Sequence, residues 1–261
     1  MKSKSPQKLL FIPILVGILL SVSTCGKKRS DSLTIAVSAN MQYAMEELTE
    51  AFTDSTGLPC ELIIASSGKL TAQIIEGAPF DLFLSADMKF PEKIFEKGLA
   101  YRAPEVYAYG HLVFWSLDDE QDLTVSGLLS DEVSHIAIAN PETAPYGAAA
   151  IELLRSMGIY DRVKHKLVYG ESIAQTNQFM LSGSAEIGIT ARSVVSSPAA
   201  QDQGRWIAAD RSLYQPIAQG LVILKNDPDR LERALAFSAF LRSPAANKIL
   251  HKFGYGLEKK E

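Results

Sequence analysis

Short apolar runs alternate with stretches of helical periodicity along most of this chain of 261 residues. Leu33–Val37 has the pattern of a first strand, and residues 41–53 place their apolar side chains on one face of a helix. Further strand-like runs are Glu61–Ala65, Phe80–Leu84, His135–Ala139, Lys166–Tyr169, Ile187–Thr190 and Ile217–Leu224. Such alternation is typical of an α/β fold, and it predicts largely parallel sheets.

Two longer apolar runs, near residues 108–115 and 217–224, predict two crossings between two α/β lobes. We expect residues 33–109 and 219–261 to form lobe I, and residues 110–218 to form lobe II. A clamp of two hinge-connected lobes binds its ligand in the cleft between them, where strand and helix ends meet.

The N-terminus has the features of an export signal. Three lysines lie within the first eight residues and the apolar run Leu9–Val22 follows, which is short for a membrane span. The signal would cover residues 1–24, and Val22–Gly26 resembles a bacterial lipobox, in which Cys25 carries the lipid. Residues 25–32 would then be a tether, which predicts an extracytoplasmic, membrane-anchored protein. The alternative is an ordinary signal peptide with a chance cysteine.

Charge and motifs exclude several classes of function. Loss of the signal removes three lysines and no acidic residue, so the formal net charge falls from −4 to about −7, which argues against nucleic acid as a partner. With Cys25 lipidated, Cys60 has no partner for a disulfide. Nucleotide-binding and nucleophile-elbow motifs are absent from the sequence, and its four histidines lack metal-ligand spacing. We therefore expect a protein that is not an enzyme and has no cofactor, with a surface-anchored hydrolase as a distant alternative.

Small polar residues stand where predicted strands end and helices begin. Asn40 follows the first strand, Ser66–Gly68 follow the second, and Tyr146 and Ser172–Ile173 open two later helices. Each helix start offers unpaired backbone N–H groups and a partial positive charge, which favours anions. Asn and Ser are also ordinary N-caps, so an anion site requires the fold to bring these turns together.

Several passages resemble the molybdate-binding proteins of ABC importers, from about Leu33 to Tyr255. The most specific is Gly77–Asp87, which is close to the family's Gly-Ala-Pro-x-Asp, three apolar residues, Ser-Ala-Asp. The other passages are Ala36–Met41, Ala65–Leu70, Asn140–Gly147 and Pro244–Tyr255. The resemblance implies the two-lobed periplasmic-binding-protein fold of type II, a monomer, and delivery of molybdate or tungstate to a membrane permease.

The resemblance also implies the oxyanion-contacting residues, namely Asn40, Ser67, Tyr146, Ile173 and, through its backbone, Ala39. Asn40 would offer a side-chain donor, and Ile173 only its amide. Metal would be bound only as the oxyanion, without direct ligands.

Ala191 stands where some family members place a tyrosine hydroxyl on the anion, so either one donor is missing or Thr190 or a shifted neighbour replaces it. We interpret Lys69 and Arg192, which lie near these loops, as surface or supporting residues. Sulfate, phosphate or a small carboxylate stays an alternative ligand, although a carboxylate site would be expected to use an Arg or Lys clamp.

Overall fold

The computed structural model describes residues 32–257, so the predicted signal, Cys25 and most of the tether lie outside the described residues. Within this range the chain forms ten strands and ten α-helices. The strands are β1 (Leu33–Ser38), β2 (Cys60–Ala65), β3 (Leu82–Ser85), β4 (Glu105–Gly110), β5 (Leu112–Ser116), β6 (Ile136–Ala139), β7 (Leu167–Gly170), β8 (Ile187–Ala191), β9 (Arg205–Ala208) and β10 (Ile217–Ile223).

The helices contain most of the remaining residues. They are α1 (Gln42–Thr56), α2 (Ser67–Ile75), α3 (Lys89–Glu96), α4 (Val125–Leu129), α5 (Pro145–Ser156), α6 (Tyr160–Val163), α7 (Ile173–Leu181), α8 (Arg192–Val195), α9 (Pro228–Phe240) and α10 (Pro244–Lys252). No helix among the described residues is both long and apolar enough to span a membrane.

The strands form two sheets of five, with the orders β2-β1-β3-β10-β4 and β7-β6-β8-β5-β9. The pairs β1/β2, β1/β3, β6/β7 and β6/β8 are parallel, whereas β10 is antiparallel to β3 and β4, and β5 to β8 and β9. The prediction of largely parallel sheets was therefore wrong for half of the pairings. Parallel neighbours need a crossover connection, which is usually a helix. The strands β5 and β10 each follow a strand of the other sheet and have no such connection, so they pair antiparallel.

The chain passes between the sheets where the apolar runs are. The run at 108–115 is not one strand: β4 ends at Gly110, β5 begins at Leu112, and His111 joins them. The return occurs between β9 and β10. We call the first sheet with α1–α3, α9 and α10 the first lobe, and the second sheet with α4–α8 the second lobe. This two-sheet α/β architecture confirms the predicted fold class.

Each lobe has its own apolar core. The first sheet is covered on both faces, with Met45, Leu48 and Phe237 in one core and Leu70 and Ile94 in the other. Burial on both faces explains why β1 and β3 are apolar along their length, as expected for central strands. Full burial of one such side chain contributes about 1.5–3 kcal/mol, so the cores stabilise the strands that carry the loops at their ends.

Candidate functional site

A small cavity lies between the two lobes, at the carboxyl ends of their parallel strands. Its volume is about 10 Å³, which is room for about one water molecule. Its lining residues are Ser38, Ala39, Asn40, Ser66, Ser67, Ala86, Ala144, Pro145, Tyr146 and Ile173. Ligands of α/β proteins commonly bind at this edge of a sheet, and pockets for drug-sized molecules are larger, about 300–1,000 Å³. In this closed arrangement the cavity excludes drug-sized molecules, so any guest must be compact.

All five residues predicted to contact an oxyanion line this one cavity. Ala39, Asn40 and Ser67 come from the first lobe, and Tyr146 and Ile173 from the second. Sequence reasoning did not assign contacts to the other lining residues, although Ser66 had been noted at a helix start. The structure thus brings together turns that are far apart in the sequence.

Helix starts from both lobes supply backbone donors to the cavity. Ser67 and Ile173 are the first residues of α2 and α7. In α5 the first residue is Pro145, which has no N–H, so Tyr146 carries the first amide of that helix. The opening N–H groups of a helix have no partner within it and lie at its positive end. These helix starts can therefore solvate an anion without a charged side chain.

The Ser67 hydroxyl is held as a donor by its surroundings. Its Oγ accepts a hydrogen bond from the backbone N–H of Ala86 at 3.1 Å, and the residue is buried. Because this bond uses a lone pair of the Ser67 oxygen, the hydroxyl proton remains available to donate to another acceptor. The geometry suits donation into the cavity.

The Asn40 side chain is bound within the protein. Its Nδ2 donates to Gln219 Oε1 at 2.8 Å and to the Tyr255 hydroxyl at 2.9 Å, while its Oδ1 accepts from Ser38 Oγ at 2.7 Å. The backbone carbonyl oxygen of Asn40 accepts from Ser193 Oγ at 2.7 Å and from the Tyr255 hydroxyl at 2.8 Å. The side-chain donor predicted for Asn40 is thus already paired, and its backbone N–H, near the start of the turn Ala39–Met41, remains the group suited to a guest.

Gln219 is a buried supporting residue that sequence reasoning missed. It lies on β10 where the pairing with β4 shifts register, and its Nε2 donates to the carbonyls of Ala86 at 3.3 Å and Ile217 at 3.1 Å. A fully buried glutamine needs such partners. The signal was available, since Gln219 is the polar residue within the apolar run Ile217–Leu224.

The Tyr146 side chain points away from its helix start and reaches the hinge. A Cβ atom added to Gly110, the last residue of β4, would lie 1.9 Å from the Tyr146 hydroxyl oxygen, so a glycine is needed there. Burial, with the nearby Tyr255 phenol as a smaller cause, holds the pKa of Tyr146 well above its ordinary value. The hydroxyl is buried without a hydrogen bond of standard geometry and stays neutral.

Ala191 and Thr190 do not replace the tyrosine donor of other family members. Neither residue lines the cavity. Ala191 is buried at the end of β8, and the Thr190 hydroxyl donates to Asn177 Oδ1 at 3.0 Å. The site therefore lacks a side-chain donor from this segment.

Charged side chains are absent from the cavity lining within residues 32–257. Lys69 lies outside it and forms an exposed ion pair with Glu171 of the other lobe, at 3.0 Å. The Arg192 guanidinium carbon lies 5.8 Å from the centroid of the Trp206 ring. The described part of the chain also has no cluster of three or more His, Cys, Asp or Glu side chains that could hold a metal ion.

Residues 33–256 match the family model described as bacterial extracellular solute-binding protein. The chain belongs to this family of solute-binding proteins. Two relatives confirm the resemblance found in the motifs. The molybdate-binding protein ModA of Rhodobacter capsulatus is 38% identical over 224 residues, with 85% of this chain and 87% of the relative covered. ModA of Azotobacter vinelandii is 35% identical, with 94% and 97% covered.

Solved structures agree with the assignment to the solute-binding family. The periplasmic molybdate-binding protein of Azotobacter vinelandii superposes with a TM-score of 0.82 at 32% identity, covering 87% of this chain and 100% of that structure. The likeness confirms the two-lobed fold, in which the cavity described above lies between the lobes.

Proposed function

We propose that this solute-binding protein captures molybdate or tungstate in the cavity between its lobes and delivers the anion to the membrane permease of an ABC importer. The relatives that bear the name molybdate-binding protein cover nearly the whole described chain, which supports the ligand class. The protein acts in transport, without a cofactor and without chemistry on its ligand.

One observation carries the proposal: the cavity is lined by neutral residues whose donors come from both lobes. A dianion that leaves water must regain hydrogen bonds to its oxygens, because burying an unpaired charge is costly. Hydrogen bonds to a charged acceptor are stronger than those between neutral groups, so amides and hydroxyls held by the fold suffice. A carboxylate ligand would favour an Arg or Lys clamp, which this lining does not provide.

Capture follows from the division of donors between the lobes. Asn40 and Ser67 would meet the anion first in an open cleft, and closure would bring the amides of Tyr146 and Ile173 onto its other side. In the closed arrangement the Gly68 N–H donates to the Thr143 carbonyl across the cleft at 2.9 Å. Because the anion contacts both lobes only when they are closed, binding favours the closed state.

The test of the ligand is a thermal-shift and calorimetry series with molybdate, tungstate, sulfate and phosphate on the purified protein. A ligand at 100 times its Kd stabilises the folded state by about 2.7 kcal/mol. We expect molybdate and tungstate to raise Tm and equal sulfate to do little, because selection between these anions would rest on the size of the ligand-bound site, which we expect to match the larger metal oxyanions. Ser67→Ala should weaken binding about 10-fold or more. A melting temperature that neither metal oxyanion moves would reject the assignment.

We further propose that the protein is a monomeric, extracytoplasmic lipoprotein anchored through Cys25. The sequence Val22–Gly26 and the polar residues before β1 support this. A stable anchor needs more than one acyl chain, which a lipoprotein carries. Cell fractionation tests the anchor, since Cys25→Ala should move the protein out of the membrane fraction.

A further inference from the structure

Ser66 occupies the N-cap position of α2 but does not cap the helix. The residue is 3% exposed, and its Oγ atom is buried without a hydrogen-bond partner. A serine at an N-cap normally accepts a hydrogen bond from the second or third amide of its helix. Here the hydroxyl does not make that bond, and nothing among the described residues replaces it.

Three other N-caps of the same protein make the ordinary capping bond, whereas Thr124 at the start of α4 does not and donates its hydroxyl to Asp122. Ser172 accepts from Gln175 N–H at 3.4 Å, Asp227 from Arg230 N–H at 3.2 Å, and Ser243 from Ala246 N–H at 3.2 Å. The three helices α7, α9 and α10 are thus capped by their side chains. Ser66 differs from them because it lines the cavity between the lobes.

The unpaired Ser66 hydroxyl belongs to a residue that lines the cavity. Within residues 32–257, buried side-chain oxygens without a partner occur on two lining residues, Ser66 and Tyr146. The Tyr146 hydroxyl lies against Gly110 at the hinge, which leaves Ser66 as the unpaired hydroxyl beside the helix starts. A buried donor without a partner is costly, and an acceptor oxygen placed in the cavity would remove that cost.

Ser66 and Ser67 are adjacent but have different constraints. The Ser67 oxygen already accepts from the Ala86 amide, whereas the Ser66 hydroxyl is free to rotate. Ser67 is therefore oriented before a ligand arrives, and Ser66 can adjust to the oxygen that it meets. The hydroxyls of Ser66 and Ser67 would then donate to different oxygens of the anion, or both to the same oxygen.

We propose that Ser66 is a further ligand-contacting residue, which donates its hydroxyl to the bound tetrahedral oxyanion and does not serve as the cap of α2. This inference rests on the proposed function, since it names an additional donor of the same site. It also compensates for the side-chain donor that Ala191 does not supply.

The experiment compares wild type, Ser66→Ala and Ser243→Ala by calorimetry with molybdate and by thermal melting without ligand. Ser66→Ala should bind molybdate about 10- to 100-fold more weakly, because it loses a hydrogen bond to a charged acceptor. Its ligand-free Tm should be equal to or above that of wild type, because an unpaired buried hydroxyl is removed. Ser243→Ala loses a capping bond at a residue that does not line the cavity, so its ligand-free Tm should fall and its affinity should stay unchanged.

The outcomes separate the two proposals. Wild-type affinity in Ser66→Ala would overturn the inference about Ser66 and leave the proposed function standing. A lower ligand-free Tm with unchanged affinity would show that Ser66 is a structural residue, which also overturns it. A wild-type protein that fails to bind molybdate or tungstate would contradict the proposed function itself, and the role of Ser66 with it.

Discussion

At the scale of single residues, Asn40 connects the cavity to distant parts of the chain. Its side-chain amide pairs with Ser38, Gln219 and Tyr255, and the last two lie 179 and 215 residues away in sequence. The partners come from β10 and from the segment after α10, so the turn after β1 is fixed by the returning chain. The position of the Ala39 and Asn40 amides therefore depends on the completed fold of the first lobe.

We expect Asn40→Ala to lower stability as well as affinity. The substitution removes the acceptor of the buried Ser38 hydroxyl and the donor to the Gln219 side-chain carbonyl, at a cost of about 2–4 kcal/mol, whereas Tyr255 still donates to the backbone carbonyl of residue 40. Urea unfolding of the ligand-free protein measures this cost. Asn247→Ala, at a partly exposed position of α10, is the control and should change stability little. If Asn40→Ala unfolded at the urea concentration of wild type, the network would not have the role that we give it.

The positions around the cavity could be predicted from the sequence, but the atoms that face it could not. Strand-to-helix turns are marked by local residue types, and the motif resemblance selected Asn40, Ser67, Tyr146 and Ile173. The side-chain partners are set by long-range contacts such as Asn40 with Gln219. For this reason Asn40 was expected to offer its side chain, and Ser66 was not expected to differ from an ordinary N-cap.

At the scale of elements, His111 is the link between β4 and β5, where the chain leaves the first sheet for the second. Burial, followed by the positive charges of Arg211 and Arg192, lowers the pKa of His111 to about 4. His251 lines the same surface recess as His111 and Arg192, so basic groups predominate around the hinge. The imidazole is thus kept neutral where the lobes join.

This environment predicts a pH dependence of stability. An unfolded histidine has a pKa of about 6.5, so between pH 6.5 and 4 the unfolded chain binds more protons at this site than the folded chain. The contribution is fully present above pH 6.5 and is lost as the pH falls toward 4. Urea midpoints of wild type should therefore fall more steeply in this window than those of His111→Gln.

The exposed His165 provides the control for this pH experiment. His165→Gln removes an exposed imidazole and leaves the buried hinge unchanged, so the pH dependence that we assign to His111 should persist. Parallel pH curves for wild type and His111→Gln would contradict the assignment of the effect to the hinge.

The elements themselves were predictable to different degrees. Strong apolar patterns predicted β1, β8 and β10 within one or two residues of their bounds. The run at residues 108–115 was interpreted as continuous, although Gly110 and His111 interrupt it between β4 and β5. The edge strand β9 was missed since its residues are largely exposed and follow no apolar pattern. Strand direction at the crossings depends on the path between lobes, which local sequence does not encode.

At the scale of the whole molecule, two covalent crossings and a few polar contacts hold the lobes together around the cavity. Ser193 of α8 donates to the Asn40 carbonyl at 2.7 Å, and the Gly68 N–H donates to the Thr143 carbonyl at 2.9 Å. The Lys69–Glu171 ion pair also joins the lobes, but both side chains are more than half exposed, so it contributes little. Closure therefore depends mainly on the close contact between the two lobes and on a ligand that both lobes bind.

Gly68 in α2 is in close contact with Thr143 of the other lobe, and it provides a test of closure. A Cβ atom there would lie 3.0 Å from the Thr143 Cα and 3.2 Å from its Cβ and carbonyl oxygen. These contacts are with backbone as well as side chain, so Gly68→Ala should keep the lobes slightly apart. Because alanine favours a helix over glycine by about 1 kcal/mol, the ligand-free protein should not lose stability.

We expect Gly68→Ala to bind molybdate about 10-fold more weakly, since overpacking costs about 1–3 kcal/mol and opposes only the closed state. Calorimetry gives the affinity, and small-angle scattering with and without molybdate gives the change in radius of gyration on closure. Lys69→Ala is the matched control at the next position, because it removes the exposed ion pair and adds no atom to the contact. Gly68→Ala could instead bind molybdate with wild-type affinity and compact as wild type does. Closing the lobes over the anion would then not require the close contact between Gly68 and Thr143.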